Sequence, residues 1–150
     1  MSVLPELTDH LGYWLRAVSN HVSHGFAAKV AAKGVTVAEW VILRSLHGQP
    51  PTSPSRLAET LGLTRGAVTK LADRLIAKSL VVRRANREDA RSQTLALTAQ
   101  GSRLVPALAA LADQNDTEAF SKLSASERLL LEKLLRRLAD DLRINSTAID

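Results

Sequence analysis

The 150-residue chain contains no cysteine, which removes disulfides, thiolate metal sites and cysteine redox switches from consideration. Aromatic residues make up only 3% of it, so a core must be filled by Leu, Val and Ala. No stretch approaches the roughly 18 uninterrupted apolar residues of a membrane span. Residues 1–6 show no basic start followed by an apolar block, so no secretory signal is expected and a cytoplasmic protein is the default. The sequence also lacks a Gly-rich phosphate loop, a Cys–His pair and a G-x-S-x-G nucleophile turn. Its carboxylates are scattered along helical faces and do not converge, so neither an enzyme nor a cofactor is expected. The apolar fraction of 45% is ordinary for a folded domain and too high for a disordered chain.

The net charge of +5 is unevenly placed. Between Arg56 and Arg91 there are nine Lys or Arg against four acids, Glu59, Asp73, Glu88 and Asp89. Outside that window, eleven basic and eleven acidic residues cancel. The whole excess therefore lies in one contiguous quarter of the chain, the footprint expected for a polyanion such as DNA. On charge alone a solvated basic surface remains an equal alternative.

Apolar residues at Leu4, Leu7, Leu11, Leu15, Val18, Val22, Phe26 and Val30 predict a helix over residues 5–33, stopped by Gly34. Thr36 and Glu39 form a capping box for a second helix through Trp40, Leu43 and Leu46, ended by Gly48 and Pro50. Ser53-Pro54 opens a short third helix closed by Gly62. Thr64 caps a fourth over residues 65–78. Two β-prone runs, 80–84 and 93–97, flank a polar tip at 85–92 and read as a long hairpin. Thr98 caps a helix to about residue 121, which Pro106 should bend. Ser124 and Glu127 form a second capping box, followed by Leu130, Leu131, Leu134, Leu138 and Leu142 along one side. The order is four helices, a hairpin and two helices.

On a helical projection of the fourth helix, Arg65, Gly66, Thr69, Lys70, Asp73 and Arg74 share one half, and Ala67, Val68, Leu71, Ala72 and Leu75 the other. One face can pack while the other offers Arg, Thr and Lys near its N-terminal end, the division a recognition helix in the major groove requires. Arg or Lys can donate to guanine, Thr can touch a thymine methyl, and Gly66 permits close backbone approach. An amphipathic surface helix without a partner would look the same in isolation. The preceding short helix and glycine turn, and the cationic hairpin that follows, favour DNA.

The run Leu61-Gly-Leu-Thr-Arg-Gly-Ala-Val-Thr-Lys-Leu-Ala-Asp-Arg-Leu75, with Val81-Val-Arg-Arg84, Asp89-Ala-Arg91 and Leu97-Thr-Ala-Gln-Gly101, resembles the MarR family of bacterial regulators. The resemblance runs along essentially the whole chain in order. It implies a mainly α fold with a small β wing (α+β). A winged helix-turn-helix lobe over about 36–97 would be flanked by dimerisation helices at about 4–33 and 98–145, all in a single domain, 1–150. It implies a sequence-specific transcriptional regulator, a homodimeric repressor relieved by a small aromatic or anionic inducer, on a pseudo-palindromic double-stranded operator. The candidate DNA-binding residues are Ser53, Ser55, Thr64, Arg65, Gly66, Thr69, Lys70 and Arg74, with Arg84, Arg87, Asp89 and Arg91 of the wing. Arg91 would enter the minor groove with Asp89 holding its guanidinium. The lack of cysteine sets the chain apart from the family's peroxide-sensing branch.

Leu4, Leu7 and Leu11, with Leu130, Leu134, Leu138 and Leu142, need a surface to cover them, and a second copy supplies one. His10, Trp14, Trp40 and Arg44 are candidate inducer-binding residues, with a plain core role as the alternative for the two tryptophans. His21 and His24 have a spacing that can bind zinc, with His10 or His47 as additional ligands, which leaves a metal-responsive regulator as an alternative. A winged helix that binds protein instead of DNA is another.

Overall fold

The computed structural model of the chain describes residues 3–86 and 92–150. A short 3-10 helix, Leu7–Asp9, precedes α1 (Leu11–Ala31), α2 (Val37–Leu46), α3 (Pro54–Leu61) and α4 (Arg65–Ala77). Strands β1 (Val81–Ala85) and β2 (Gln93–Leu97) follow, then α5 (Ala99–Phe120) and α6 (Ala125–Asp141). The predicted order of helices and hairpin is the observed one.

Local chemistry explains most boundaries. Thr36, Ser53, Thr64, Thr98 and Ser124 each accept a hydrogen bond at their side-chain oxygen from an amide three residues on, at α2 to α6 in turn. Such caps satisfy amides that have no partner within the helix. Gly62 closes α3 in the left-handed region at φ 66°, where a side chain would be strained.

Two expectations need correction. The first helix starts at Leu11, not at residue 5, because Glu6 N–H donates to Asp9 Oδ2 (2.8 Å) and closes a separate 3-10 turn. The backbone then turns extended at His10 (φ −95°, ψ 127°). The first strand lies one residue later than predicted, since Leu80 is spent on the α4–β1 turn, where its N–H donates to Leu75 O (3.0 Å). α5 runs through Pro106 as one element.

β1 and β2 pair antiparallel from Val81 opposite Leu97 to Ala85 opposite Gln93. Thr52, just before α3, adds an isolated bridge to Leu95 with bonds of 2.9 and 2.8 Å in the two directions. That bridge fixes the start of α3 to the base of the wing. The core packs Ile42, Leu43 and Leu46 of α2 with Leu57 and Leu61 of α3, Val68, Leu71 and Leu75 of α4, and Leu95 of β2. Val30, Val105 and Leu108 join the same cluster from the long helices, so the lobe and the helices share one core.

Burial of an acid at the edge of this core was not foreseen. Glu39 is fully buried. Its Oε1 accepts from Thr36 N–H (2.8 Å) and from Lys78 Nζ (2.9 Å). Lys78 Nζ also donates to Gly34 O (2.8 Å). Burial would push the Glu39 carboxyl up, but the hydrogen bonds from Lys78 and Thr36 outweigh it and hold the group below its ordinary range. The α1–α2 turn is thereby tied to the end of α4.

α1 and α5 are joined by a second buried polar group. Asn115 Nδ2 donates to Val22 O (3.0 Å), its Oδ1 accepts from Lys29 Nζ (3.0 Å), and Lys29 pairs with Glu118 (2.8 Å). Gly25 is needed here, because a Cβ would come within 2.9 Å of Asn115 Oδ1.

Candidate nucleic-acid interface

α4 carries the division of faces expected of it. Val68, Leu71, Ala72 and Leu75 are buried, while Arg65, Gly66, Lys70, Asp73 and Arg74 are exposed and Thr69 is half-buried. α3 packs under α4, and the Gly62 turn between them sets the helix-turn-helix angle. The Thr64 hydroxyl accepts from Ala67 N–H (3.1 Å), and the Ser53 hydroxyl accepts from Arg56 N–H (3.2 Å). Each hydroxyl retains its own proton to donate outward. Ser55 is exposed on the first turn of α3.

Charge on this side is mostly uncompensated. Among the described residues, Arg65, Lys70, Arg74 and Arg84 have no carboxylate within ion-pair range. Arg83 is different, because its Nη2 lies 2.6 Å from Asp73 Oδ1. Asp73 thus ties β1 to α4, a role that its place on the polar face did not reveal. Arg84 is exposed on β1. Arg87, Asp89 and Arg91 lie outside the described residues.

Gly66 differs from Gly62 and Gly101. A Cβ there would meet nothing within 4 Å, so packing within the chain does not require glycine. At Gly101 a Cβ would run into the Leu80 carbonyl oxygen, and at Gly62 into the Asn145 carbonyl oxygen.

The four candidate inducer residues do not come together within one chain. His10 Nδ1 lies 3.1 Å from Glu6 O, and Trp14 Nε1 donates to Thr8 O (2.9 Å), both at the exposed N-terminal end. Arg44 is exposed on α2. Trp40 stacks edge-on against Phe26 (6.3 Å between centroids) and lines a crevice of about 240 Å³ with Val22, Phe26, Ala112 and Asn115. His21 and His24 are both exposed on α1. Among the described residues no three His, Asp or Glu side chains group closely enough to hold a metal, and no helix is long and apolar enough to cross a membrane.

A short helix, a left-handed glycine turn, a second helix with one cationic face and a two-stranded hairpin define a winged helix-turn-helix module. Long helices before and after it complete the architecture. The family model described as MarR family matches residues 33–92, the segment that holds α2 to the wing. Over that segment the chain is similar to the MarR family. It is similar to a helix-turn-helix type transcriptional repressor of Mycobacterium tuberculosis, with 28% identity over 131 residues, 87% of this chain and 94% of that protein. Among solved structures it is similar to wild-type MarR of Escherichia coli in its apo form (26% identity, TM-score 0.72, 92% of this chain and 98% of that one). It is also similar to a mutant of that MarR complexed with operator DNA (26%, TM-score 0.76, 85% and 92%).

Proposed function

We propose that the chain is a homodimeric, sequence-specific transcriptional repressor whose α4 enters the major groove and whose wing reaches the neighbouring minor groove. The observation that carries this reading is the face of α4, with Arg65, Lys70 and Arg74 exposed and unpaired opposite a fully packed side. An unpaired cationic face at the N-terminal end of a packed helix is costly to leave beside like charge and suits a phosphate-lined groove. Thr64, Arg65, Gly66, Thr69, Lys70 and Arg74 form the reading surface, Ser53 and Ser55 bind backbone phosphate, and Arg84 adjoins them from the wing. Arg87, Asp89 and Arg91 complete the wing contact on sequence grounds.

Dimerisation is supported by apolar surface that one chain cannot cover. Leu4, Leu7 and Leu11, and Leu130, Leu134, Leu138 and Leu142, are all exposed by 46% or more. Two copies set their recognition helices about 34 Å apart, matching successive major grooves. Residues 36–97 act as the DNA-binding lobe, and 4–33 with 98–145 as the dimerisation region. The protein acts in the cytoplasm, without catalysis, and a small ligand relieves repression.

Selection of bound duplexes from a random library at two salt concentrations tests the reading. The expected product is an inverted repeat with half-sites about 10 base pairs apart and a steep loss of affinity with salt. Lys70→Ala should then cost about 1–3 kcal/mol and loosen preference at one position per half-site. Enrichment without symmetry would overturn the proposal.

A further inference from the structure

The chain beyond α6 is redirected toward the reading head. α6 is closed at its C-terminal end by Arg143, which sits in the left-handed region at φ 55°. Arg143 N–H donates to Asp140 O (3.0 Å) and Ile144 N–H to Ala139 O (2.9 Å), the pair of bonds that stops a helix and turns the chain aside. Glycine is the usual residue at that position. An arginine there is costly and persists where its surroundings hold it. The tail then reaches the helix-turn-helix. Thr147 N–H donates to Leu61 O (2.9 Å), and the Asn145 carbonyl lies against Gly62 so closely that no Cβ fits. Thr147 and Ile149 are half-buried while Asn145, Ser146, Ala148 and Asp150 are exposed, so one side of the tail faces the rest of the chain.

The place of this contact matters more than its size. Leu61 is the last residue of α3, and its carbonyl is one of the four that a helix leaves without an internal partner. Leu63 N–H satisfies Ala58 O (2.9 Å) and Gly62 N–H satisfies Glu59 O (3.3 Å). For Leu61 O the partner comes from beyond α6. Gly62 is needed twice over. Its φ of 66° is one that asparagine also tolerates, but the Asn145 carbonyl excludes any side chain. Two residues later Thr64 caps α4, so the strapped turn sets where the reading helix begins. No residue of α6 is buried, and its apolar stripe is left for a second copy to cover. The tail therefore joins the reading head to the part of the chain that a dimer would hold.

We infer that residues 145–147 form a strap that positions α4 for its operator, with the Thr147 amide as the fixing group. Without the strap the α3–α4 turn can lean. Only molecules with α4 in place then bind specifically, and the apparent affinity falls by that fraction. Non-specific binding needs only cationic groups near phosphate and is insensitive to such a change. The consequence for DNA rests on the repressor reading above, whereas the strap itself does not.

The test is Thr147→Pro in the intact chain, which removes one N–H and no charge. Hydrogen exchange without DNA should show the Gly62 and Leu63 amides opening about threefold to tenfold faster than in the parent, the worth of one hydrogen bond, while the melting temperature holds. Affinity for a selected operator should fall by a similar factor, and affinity for random duplex should stay within about twofold. Gly62→Ala should weaken operator binding too. Adding Thr147→Pro to it should bring little further loss, because both changes release the same strap. Equal exchange at the turn or equal operator affinity in Thr147→Pro would overturn the proposal, as would fully additive losses in the double variant. A parallel loss on random duplex would also overturn it, by making the tail a phosphate contact. If exchange at the turn quickens but no operator is ever enriched, the strap stands and the repressor reading fails.

Discussion

Replacing Gly66 by alanine separates what the fold needs from what DNA needs. The glycine is the second residue of α4, helical in backbone, and a Cβ there meets nothing within 4 Å. Within the protein the methyl is harmless and narrows the unfolded chain's freedom, a gain of about 0.4–1 kcal/mol at a compatible site. In a chain of this size that raises the melting temperature by about 1–4 °C at fixed protein concentration. Against DNA the sign reverses. If the first turn of α4 lies on the bases, a methyl between Arg65 and Lys70 holds the backbone off, weakening both contacts. A tenfold loss of affinity, about 1.4 kcal/mol, is the minimum expected. Fluorescence anisotropy on a selected duplex, paired with melts of the same samples, reads both quantities. The counterpart is Gly101→Ala, where the Cβ runs into the Leu80 carbonyl oxygen. That change should cost about 1–3 kcal/mol of stability by overpacking while leaving the reading surface chemically intact. A Gly66→Ala protein that binds the selected duplex as tightly as the parent would refute the placement of α4 in the groove.

Glu39→Gln keeps the cap to Thr36 but removes the charge facing Lys78, and should cost about 1–2 kcal/mol at neutral pH. The Glu39 carboxyl lies below its ordinary value of 4.5, so its contribution is present above that pH and is lost as pH falls through the folded-state value. The gap between parent and variant in urea melts should close in acid, and a gap of constant size would contradict the assignment. Leu134→Lys with Leu138→Lys places charge on the uncovered stripe of α6 and should convert the dimer to monomer in sedimentation; an unaltered dimer would move the interface elsewhere. Asp73→Asn releases Arg83 from its 2.6 Å partner and removes a negative charge from the reading face. Affinity for random duplex should rise severalfold with a salt slope steeper by roughly one, and an unchanged slope would mean that Arg83 never faces phosphate.

What was legible in the sequence was what neighbours in the chain decide. The Thr36–Glu39 and Ser124–Glu127 boxes form as read, because each closes over three residues. The faces of α4 follow from its spacing alone. The pairs that fix one element on another were hidden. Glu39 looks like any first-turn acid until Lys78, 39 residues away, is brought beside it. Asn115 gives no local sign that it will reach Val22 O, 93 residues earlier. The apolar stripe of the first helix is covered within one chain only toward its C-terminal end. Val30 is buried, but Leu7, Leu11 and Leu15 are exposed by 73, 82 and 53%, since periodicity says which side is apolar and not what will cover it.

That division between local and distant order bears on how the parts communicate. α5 is 22 residues long, about 33 Å, and its first turn is fixed to the α4–β1 joint through Thr98 and Gly101. Its middle is held to α1 through Asn115. Beyond α6 the chain returns to the reading head, where Thr147 N–H donates to Leu61 O (2.9 Å) and the Asn145 carbonyl covers Gly62. The helix-turn-helix is therefore attached to the rest of the chain at the base of the wing and at the turn before α4, in addition to the shared core and the Lys78 bond to the α1–α2 turn. A rotation of the long helices would therefore act on α4 through several joints at once. The spacing of successive major grooves is set by the DNA at about 34 Å, so if two copies read it through α4 as proposed, even a small rotation of this kind would take one of the two helices out of register.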